Sequence, residues 1–264
     1  MADSQTKLGF IGFGNMAQAM AQGLVECGGV DPARITACAA HYDKLQRNAA
    51  RFGVNAAESA EEVVAASDMV IVAVKPYLVE EVVEPIRGQL EGKALVSIAA
   101  GCDYEFYEGI LDAGTHHLSI IPNTPIAVGS GVISRETRHS LSDEEYASFE
   151  ELFSPIALIE PVDSKLLGVA TTIAGCGPAF AAMFVEALAD AGVKHGLPRD
   201  TAYRLSSQMM AGTAKLQLSS GQHPGAMKDA VCSPGGTTIK GVASLEKDGF
   251  RGAIINAVDA IEGE

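Results

Sequence analysis

The sequence predicts an α/β protein in which a doubly wound, mostly parallel β-sheet domain (residues 1–160) precedes an all-α domain (residues 161–264). Three observations support this prediction. Short apolar runs alternate with segments of helical spacing in the first part of the chain, as in parallel sheets joined by crossover helices. The run at residues 69–74 is apolar throughout, which is typical of a strand buried on both faces. After Pro161 the β pattern stops and helical patterns follow.

The first domain is expected to contain one strand at each short apolar run. Helical spacing over residues 15–25 places Met16, Ala19, Met20 and Leu24 on one side, so a helix should follow the first strand directly. The predicted strands are residues 8–11, 35–39, 69–74, 94–99, 118–121 and 157–159.

The second domain is expected to consist of helices with large apolar faces. The predicted helices are residues 165–194, 200–219, 236–247 and 250–262. So small a group of apolar helices would leave much apolar surface exposed, and we therefore expect it to pack against a second subunit. A compact monomer is the alternative.

The charge balance limits the class of partner. The chain has 264 residues, with 19 Lys+Arg against 33 Asp+Glu, and its net charge is −14. Such a protein is not expected to bind nucleic acid without sequence preference, nor a membrane surface through a basic patch. An anionic ligand must instead be held by local positive features.

The cysteines and the longest apolar segment bear on the compartment. The five cysteines are scattered and include no C-x-x-C pair, which favours a reducing cytoplasm over a disulfide framework. Residues 166–185 carry no charge over a length that could span a bilayer. Because the segment also contains three glycines, a proline and two threonines, we predict a buried, tightly packed helix and no membrane span.

A glycine fingerprint follows the first predicted strand and opens a helix. It reads Gly12, Phe13, Gly14, Asn15, Met16, Ala17, the G-x-G-x-x-A form of a dinucleotide-binding turn. Gly12 permits the tight turn, Gly14 lets the backbone approach a pyrophosphate, and Ala17 allows close packing of helix and strand. The phosphates would sit at the positive end of the helix dipole.

The end of the second predicted strand bears on the choice between NAD and NADP. An NAD site typically presents a carboxylate to the ribose there, but here no acidic residue lies between the end of this strand and Asp43. His41, Lys44 or Arg47 could face a 2′-phosphate. We therefore predict that NADPH is preferred, with NADH as the alternative cofactor.

Two further strand ends carry polar or rigid residues. Ala73, Val74, Lys75 and Pro76 close the central strand, where ligands bind in such sheets, and Lys75 could place a positive charge near the cofactor. Residues 122–125 (Pro-Asn-Thr-Pro) form a rigid turn at the same edge, which makes Asn123 a candidate contact.

The most unusual segment lies in the second half. Ser233, Pro234, Gly235 and Gly236 precede a helical stretch that begins with two threonines. This pattern predicts a second helix N-terminus with accessible N–H groups, which suits an anion as small as a carboxylate.

Several segments in the same order and spacing together resemble the pyrroline-5-carboxylate reductases. They are residues 12–16, 74–76, 97–101, 122–125, 175–180, 223–229 and 231–245. The resemblance implies a Rossmann domain followed by a helical dimerisation domain, and NAD(P)H-dependent reduction of 1-pyrroline-5-carboxylate to L-proline. It also implies a homodimer through the helical domain, and many members of the family assemble into rings of dimers.

The resemblance also implies site residues. Ser233 and the backbone N–H groups of residues 236–238 would hold the substrate carboxylate, and the Thr238 hydroxyl would hydrogen-bond the imine nitrogen. The implied catalytic residues are Thr238 and Ser233, and the implied substrate-binding residues are Ser233, Gly235, Gly236, Thr237 and Thr238. The expected cofactor-binding residues are Gly12, Phe13, Gly14, Asn15, Met16, His41, Ala73, Val74, Lys75, Pro76, Ala99, Ala100 and Asn123.

Two positions depart from the family pattern. Many members carry an arginine shortly before the Pro-Asn-Thr-Pro turn, where this chain has Ser119 and, before it, His116 and His117. The family often has a polar or acidic group where Ser164 begins the long helix. The histidines lack metal-ligand spacing, so we expect no metal.

Two other functions remain open from the sequence. Another imine or β-hydroxyacid oxidoreductase of this domain plan would need an acid–base group on the long helix, but Lys165 and Lys194 only flank it. A non-enzymatic NADP sensor would keep the glycine fingerprint but would not need residues 233–238.

Overall fold

The computed structural model of the chain describes residues 5–263, which divide into two compact units, one ending at Gly175 and the other beginning at Cys176. The first contains a β-sheet with helices, and the second contains helices. The predicted fold class is therefore confirmed. The domain boundary predicted after residue 160 stays a prediction.

The first unit, which ends at Gly175 and is here called the sheet unit, is built on eight strands in the order 3-2-1-4-5-6-7-8. The strands are β1 (Leu8–Ile11), β2 (Ile35–Cys38), β3 (Asn55–Ala56), β4 (Met69–Val72), β5 (Ala94–Ser97), β6 (His116–Pro122), β7 (Gly131–Glu136) and β8 (Ala157–Val162). Pairing is parallel from β3 across to β6, while β7 runs antiparallel to β6 and β8 is parallel to β7. The carboxyl ends of β1, β2, β4, β5 and β6 consequently meet at one edge, with β1 where the strand order reverses.

The helices of the sheet unit are α1 (Asn15–Glu26), α2 (Tyr42–Ala50), α3 (Ala60–Ala65), α4 (Val79–Val83), α5 (Tyr104–Ile110), α6 (Asp143–Phe153) and α7 (Leu167–Thr171). The helices of the second unit, here called the helical unit, are α8 (Gly177–Lys194), α9 (Arg199–Ser220), α10 (Pro224–Ala230), α11 (Thr237–Lys247) and α12 (Phe250–Glu262).

The central strand β4 explains why the sheet is covered on both faces. Met69 and Ile71 belong to one cluster of buried apolar side chains, and Val70 and Val72 belong to another. Because side chains alternate along a strand, each cluster lies on a different face of the sheet. The continuous apolar run in the sequence is thus the signature of a strand with helices on both sides.

The strand bounds differ from the predicted ones in several places. β4 ends at Val72 and β5 at Ser97, two residues early in each case, because the chain turns away before Pro76 and before the positive-φ Gly101. β3 and β7 were not predicted. β3 has only two residues, and β7 carries Ser134, Arg135 and Glu136, which interrupt an apolar pattern.

The long helix predicted at residues 165–194 is not continuous. A 3-10 turn and α7 lead into a π-helical turn at Thr172–Cys176, and α8 follows. The sequence signal for this irregularity is the pair Gly177 and Pro178, since proline cannot donate the helical hydrogen bond. α10 was also not predicted as a helix.

The helical unit has little interior of its own. Among residues 176–263, all of which are described, the buried ones are Ala189, Ala202 and Ser206. Large apolar side chains are exposed instead, including Met183 (69%) and Leu218 (68%). The two buried apolar clusters found in the described chain lie within the sheet unit.

The apolar segment predicted to be buried is exposed in the single chain. In the described part of the chain, one helical run, Ser164–Lys194, is long and apolar enough to cross a membrane by length and composition, with mean hydropathy 1.6. Only 6% of its most apolar window is buried. The prediction of a buried helix is therefore wrong for the isolated chain, because its other helices do not cover these side chains.

Candidate functional site

The turn after β1 is built around Gly12. Its φ of 94° lies in the left-handed region that favours glycine. A Cβ at Gly12 would lie 2.7 Å from the carbonyl oxygen of Ala73 and 2.9 Å from Cγ1 of Val74. The Gly12 N–H donates to the carbonyl of Cys38 at 2.9 Å, which ties the turn to the end of β2. A side chain at Gly12 would therefore separate the turn from the residues after β4.

The start of α1 is suited to an anion. Within the described residues, no side chain caps the helix at Gly14, and residues 15–18 are uncharged. No described atom lies within 4 Å of a Cβ placed on Gly14. The first N–H groups of a helix have no partner within the helix, so they and the open space at Gly14 fit the pyrophosphate of a dinucleotide. Ala17, 1% exposed, lies in the core beneath them.

The end of β2 carries basic rather than acidic side chains. Ala40 and His41 are exposed between β2 and α2, and His41 is the residue that precedes the helix. Lys44 and Arg47 are exposed on α2. The first carboxylate after β2 is Asp43, in the first turn of the helix. The site therefore offers positive charge where an NAD site usually offers a carboxylate.

The end of β4 carries four predicted cofactor contacts. Ala73 and Val74 are half-buried, whereas Lys75 and Pro76 are exposed. The Ala73 N–H donates to the carbonyl of Ile11 at 2.8 Å, so this segment stays against β1 after the strand pairing has ended. Pro76 then starts a 3-10 turn.

The end of β5 is held by a pair of hydroxyl groups that the sequence analysis missed. Ser97 Oγ accepts from the Ala99 N–H at 3.1 Å and from the Tyr107 hydroxyl at 2.7 Å. Tyr107 is fully buried, and burial raises the pKa of its phenol far above the usual value. Ala99 is buried and Ala100 is exposed, so the loop presents Ala100 outward. A buried tyrosine ten residues after a strand-end serine has no local sequence pattern that reveals the contact.

Asn123 follows β6 and is 6% exposed. Its Oδ1 accepts from the Val132 N–H at 2.8 Å, and its Nδ2 donates to the carbonyl of Ala174 at 2.9 Å. The oxygen and the nitrogen of the side-chain amide are thus both hydrogen-bonded within the sheet unit. The direct cofactor contact predicted for Asn123 stays a prediction.

The residues that depart from the family pattern make internal contacts. Ser119 Oγ donates to the carbonyl of Cys102 at 2.8 Å. Ser164 Oγ donates to the buried carboxylate of Glu136, which also accepts from the Tyr104 N–H at 2.8 Å. These two serines therefore stabilise the sheet unit.

The two histidines near Ser119 each contact a carboxylate. His117 Nε2 lies 2.9 Å from Glu108, and His116 Nδ1 lies 2.7 Å from Glu145. His117 is buried, and both histidines are paired within the sheet unit. Within residues 5–263, no group of three or more His, Cys, Asp or Glu side chains is arranged to hold a metal ion.

The helical unit contains the second predicted anion site. Gly235 has a φ of 70°, and the Gly236 N–H donates to the Ser233 carbonyl at 3.0 Å to close a turn. α11 starts at Thr237 without a side-chain cap from any described residue, and its first turn contains no acidic residue. The Ser233 hydroxyl lies beside this helix start, because a Cβ on Gly236 would be 2.4 Å from its Oγ.

The side chains around this helix start are accessible. Ser233 and Thr238 are exposed in the single chain. The Ser233 hydroxyl and the first N–H groups of α11 are thus available to a small carboxylate. A second hydroxyl, that of Thr238, lies in the first turn of α11.

The structure brings most of the predicted cofactor residues to one edge of the sheet. They follow β1, β2, β4, β5 and β6 in turn, at the strand ends where ligands bind in such folds. Residues 233–238 lie in the helical unit.

Two family models match the chain. One described as "Pyrroline-5-carboxylate reductase dimerisation" covers residues 164–263, and one described as "NADP oxidoreductase coenzyme F420-dependent" covers residues 7–101.

Individual relatives match nearly the whole length. The chain is 46% identical over 257 residues to the pyrroline-5-carboxylate reductase of Treponema pallidum, covering 96% of this chain and 97% of that one. It is 39% identical over 255 residues to the Escherichia coli enzyme of the same name, covering 96% and 95%. A solved structure of Plasmodium falciparum pyrroline carboxylate reductase with NADP bound is similar at a TM-score of 0.85, with 30% identity and coverage of 98% and 96%.

Proposed function

This chain belongs to the pyrroline-5-carboxylate reductase family, NADP-dependent oxidoreductases of proline biosynthesis that act on an imine C=N bond, and from that premise we propose which residues bind each reactant. The resemblance inferred from the short motifs is confirmed by the full-length relatives.

The proposed cofactor site is the sheet edge that begins at Gly12. The N–H groups at the start of α1 bind the pyrophosphate, and Gly14 leaves room for it. Ala73, Val74, Lys75, Pro76, Ala99 and Ala100 line the remainder of this edge. When bound, NADPH supplies the hydride that reduces the C=N bond.

We propose that NADPH is preferred over NADH because of the side chains after β2. His41 and Lys44 are exposed there, no carboxylate precedes Asp43, and a 2′-phosphate would meet positive charge. The test compares initial rates with both cofactors for the wild type and for His41→Ala and Lys44→Ala. The control is Arg51→Ala, which removes one positive charge at the far end of α2. Equal kcat/KM for both cofactors in the wild type would contradict the proposal.

The proposed substrate site is the start of α11. The uncapped helix N-terminus beside the Ser233 hydroxyl is the single observation that supports this assignment most directly. Ser233 and the N–H groups of Gly236, Thr237 and Thr238 bind the carboxylate of 1-pyrroline-5-carboxylate, and Gly235 provides the left-handed turn that precedes them. A local positive feature of this kind is needed because the net charge of −14 repels an anion.

The proposed chemistry requires little acid–base catalysis. If the imine enters protonated, its nitrogen already carries the positive charge that makes the ring carbon accept hydride, and the product is the secondary amine of L-proline. The Thr238 hydroxyl accepts a hydrogen bond from the imine N–H and orients the ring. Because the protonated imine is already electrophilic, the proposed reaction needs no metal.

The experiment that tests these roles measures NADPH oxidation with 1-pyrroline-5-carboxylate. We expect Thr238→Val to lower kcat/KM by about tenfold or more, since an orienting hydrogen bond is lost. Thr237→Val is the matched control, because it removes a neighbouring hydroxyl but keeps the backbone N–H. Equal losses in both variants would contradict the role of Thr238. NADPH binding without turnover of any imine would favour an NADP sensor instead.

We propose that two copies associate through the helical unit. The family model that covers residues 164–263 describes a dimerisation region, and this part of the chain exposes the large apolar side chains named above. An apolar groove of about 960 Å³ between α8, α9 and α10 is lined by Phe184, Met209, Met210, Leu216, Met227 and Val231. Exposed apolar area of this kind is typical of an obligate interface.

Sedimentation analysis of the wild type and of Leu218→Glu tests the assembly. In the proposed dimer, the second copy also covers the apolar side chains of Ser164–Lys194, so this run does not need a membrane to shield it from water. We expect a dimer, or a multiple of a dimer if rings form, and dissociation in the variant. A monomeric wild type at micromolar concentration would contradict the proposal.

We propose a cytoplasmic location. All five cysteines are free, and Cys38 and Cys102 are buried, which fits a reducing compartment. Fractionation of cells that produce the protein with a small epitope tag tests this assignment, and recovery in the membrane fraction would contradict it.

A further inference from the structure

The chain between α7 and α8 forms a π-helical turn at Thr172–Cys176. Pro178 provides a physical reason for it. In an α-helix the N–H of residue 178 would donate to the carbonyl of Ala174, but proline has no N–H and its ring crowds that carbonyl. The turn must widen to relieve the crowding, and the carbonyl of Ala174 loses its regular helical donor.

A side chain from a distant part of the sheet unit donates to this carbonyl instead. Asn123 Nδ2 lies 2.9 Å from the Ala174 oxygen. The orientation of the amide is determined by its other contact, because the Val132 N–H can only donate and must face Oδ1, at 2.8 Å. The backbone N–H of Asn123 also donates to the Val132 carbonyl at 3.1 Å. One buried residue therefore links the end of β6, β7 and the π-helical turn.

We propose that Asn123 is a positioning residue that supplies to Ala174 the hydrogen bond that Pro178 cannot supply, and that it thereby holds the turn from which α8 begins. The kinetic part of this inference rests on the proposed function, since residues 233–238 follow this turn in the chain. Contact between Asn123 and the cofactor is not required for this role.

A double-mutant cycle in the full-length protein tests the hydrogen-bond replacement. Asn123→Ala removes the donor and lowers the free energy of unfolding in urea. Pro178→Ala restores an N–H that can donate to Ala174, so the double variant should recover about a third or more of that loss. Pro224→Ala is the matched control, because Pro224 also starts a helix, α10, and should show no coupling to Asn123→Ala. Strict additivity of Asn123→Ala and Pro178→Ala would overturn the proposal.

Asn123→Asp provides a second route if the alanine variant does not fold. It keeps an oxygen for the Val132 N–H and replaces the donor to Ala174 with an acceptor. The variant should be destabilised, and Pro178→Ala should again recover part of the loss. If Asn123→Asp is as stable as the wild type, the bond to Ala174 has no positioning role.

Kinetics and nucleotide titration separate positioning from direct cofactor binding. We expect Asn123→Ala to lower kcat/KM for 1-pyrroline-5-carboxylate by about tenfold, with the Kd for NADPH within about twofold of the wild type. Pro178→Ala should restore part of kcat/KM. A large rise in the Kd for NADPH that Pro178→Ala does not reverse would identify Asn123 as a cofactor ligand and overturn the proposal.

Failure of the proposed function can be distinguished from failure of the role proposed for Asn123. If the wild type reduced no imine, the proposed function would fail, while the unfolding cycle would still decide whether Asn123 replaces the missing donor.

Discussion

The Cα of Gly12 and the carbonyl oxygen of Ala73 lie so close that a Cβ on Gly12 would stand 2.7 Å from that oxygen. Gly14, two residues later, has no described atom within 4 Å of its own Cβ position. The two glycines of one fingerprint therefore meet different requirements. Gly12 is required by the packing of the protein itself, and Gly14 leaves room for a ligand.

Gly12→Ala should lower the free energy of unfolding by about 2–4 kcal/mol, because a side chain would combine a left-handed φ with a backbone clash. Urea unfolding measures this loss. A variant as stable as the wild type would show that the turn can move away from Ala73.

Gly14→Val should leave stability within about 1 kcal/mol of the wild type, since its φ of −77° and the open space beside it tolerate a side chain. Its Kd for NADPH should rise by about tenfold or more, because the side chain blocks the approach of the pyrophosphate. Fluorescence titration with NADPH measures the affinity. Unchanged affinity would argue against phosphate binding at this turn.

Tyr107→Phe should cost about 1 kcal/mol of stability through loss of the bond to Ser97. The loop with Ala99 and Ala100 would also be held less firmly, so KM for NADPH should rise while kcat changes little. Steady-state kinetics and urea unfolding test both effects. Tyr203→Phe, which removes a more exposed hydroxyl in the helical unit, serves as the control and should show neither.

His139 should make stability depend on pH. Burial lowers the pKa of its imidazole, and the nearby guanidinium of Arg135 lowers it further. The ring also stacks on Tyr146 at 5.0 Å, with an interplanar angle of 6°. A lowered pKa means that the unfolded chain binds a proton more readily than the folded one.

The resulting stability is therefore complete above the unfolded pKa of about 6.5 and is lost as the pH falls through the lower folded pKa. His139→Phe keeps a stacked ring and should reduce the difference between the free energies of unfolding at pH 7.5 and pH 5. Replacement of the exposed His195 by Phe is the control. A pH dependence that is the same in the wild type and in His139→Phe would rule out His139 as its source.

The buried strands and the glycine fingerprint were predictable because their signals are local. An uninterrupted apolar run such as residues 69–72 is explained by helices on both faces of the sheet. The φ of Gly12 and the uncapped start of α1 follow from residues that are adjacent in the chain. The same holds for Gly235 and the start of α11.

The contacts that support the site were not predictable for the opposite reason. Tyr107 reaches Ser97 across ten residues, and Asn123 reaches Ala174 across 51. β7 was missed because half of its residues are polar, although the strand is paired on both sides. The burial expected for residues 166–185 does not occur in one chain, since the helical unit contributes so little interior.

From the sequence alone came most of the strands, the glycine turns and the helix starts that suit anions, because neighbouring residues determine backbone conformation and local hydrogen-bonding capacity. The tertiary structure alone revealed which side chains hold those loops in place and which apolar faces stay uncovered. Hydrogen bonds and burial depend on groups that only the sheet topology brings within reach of one another.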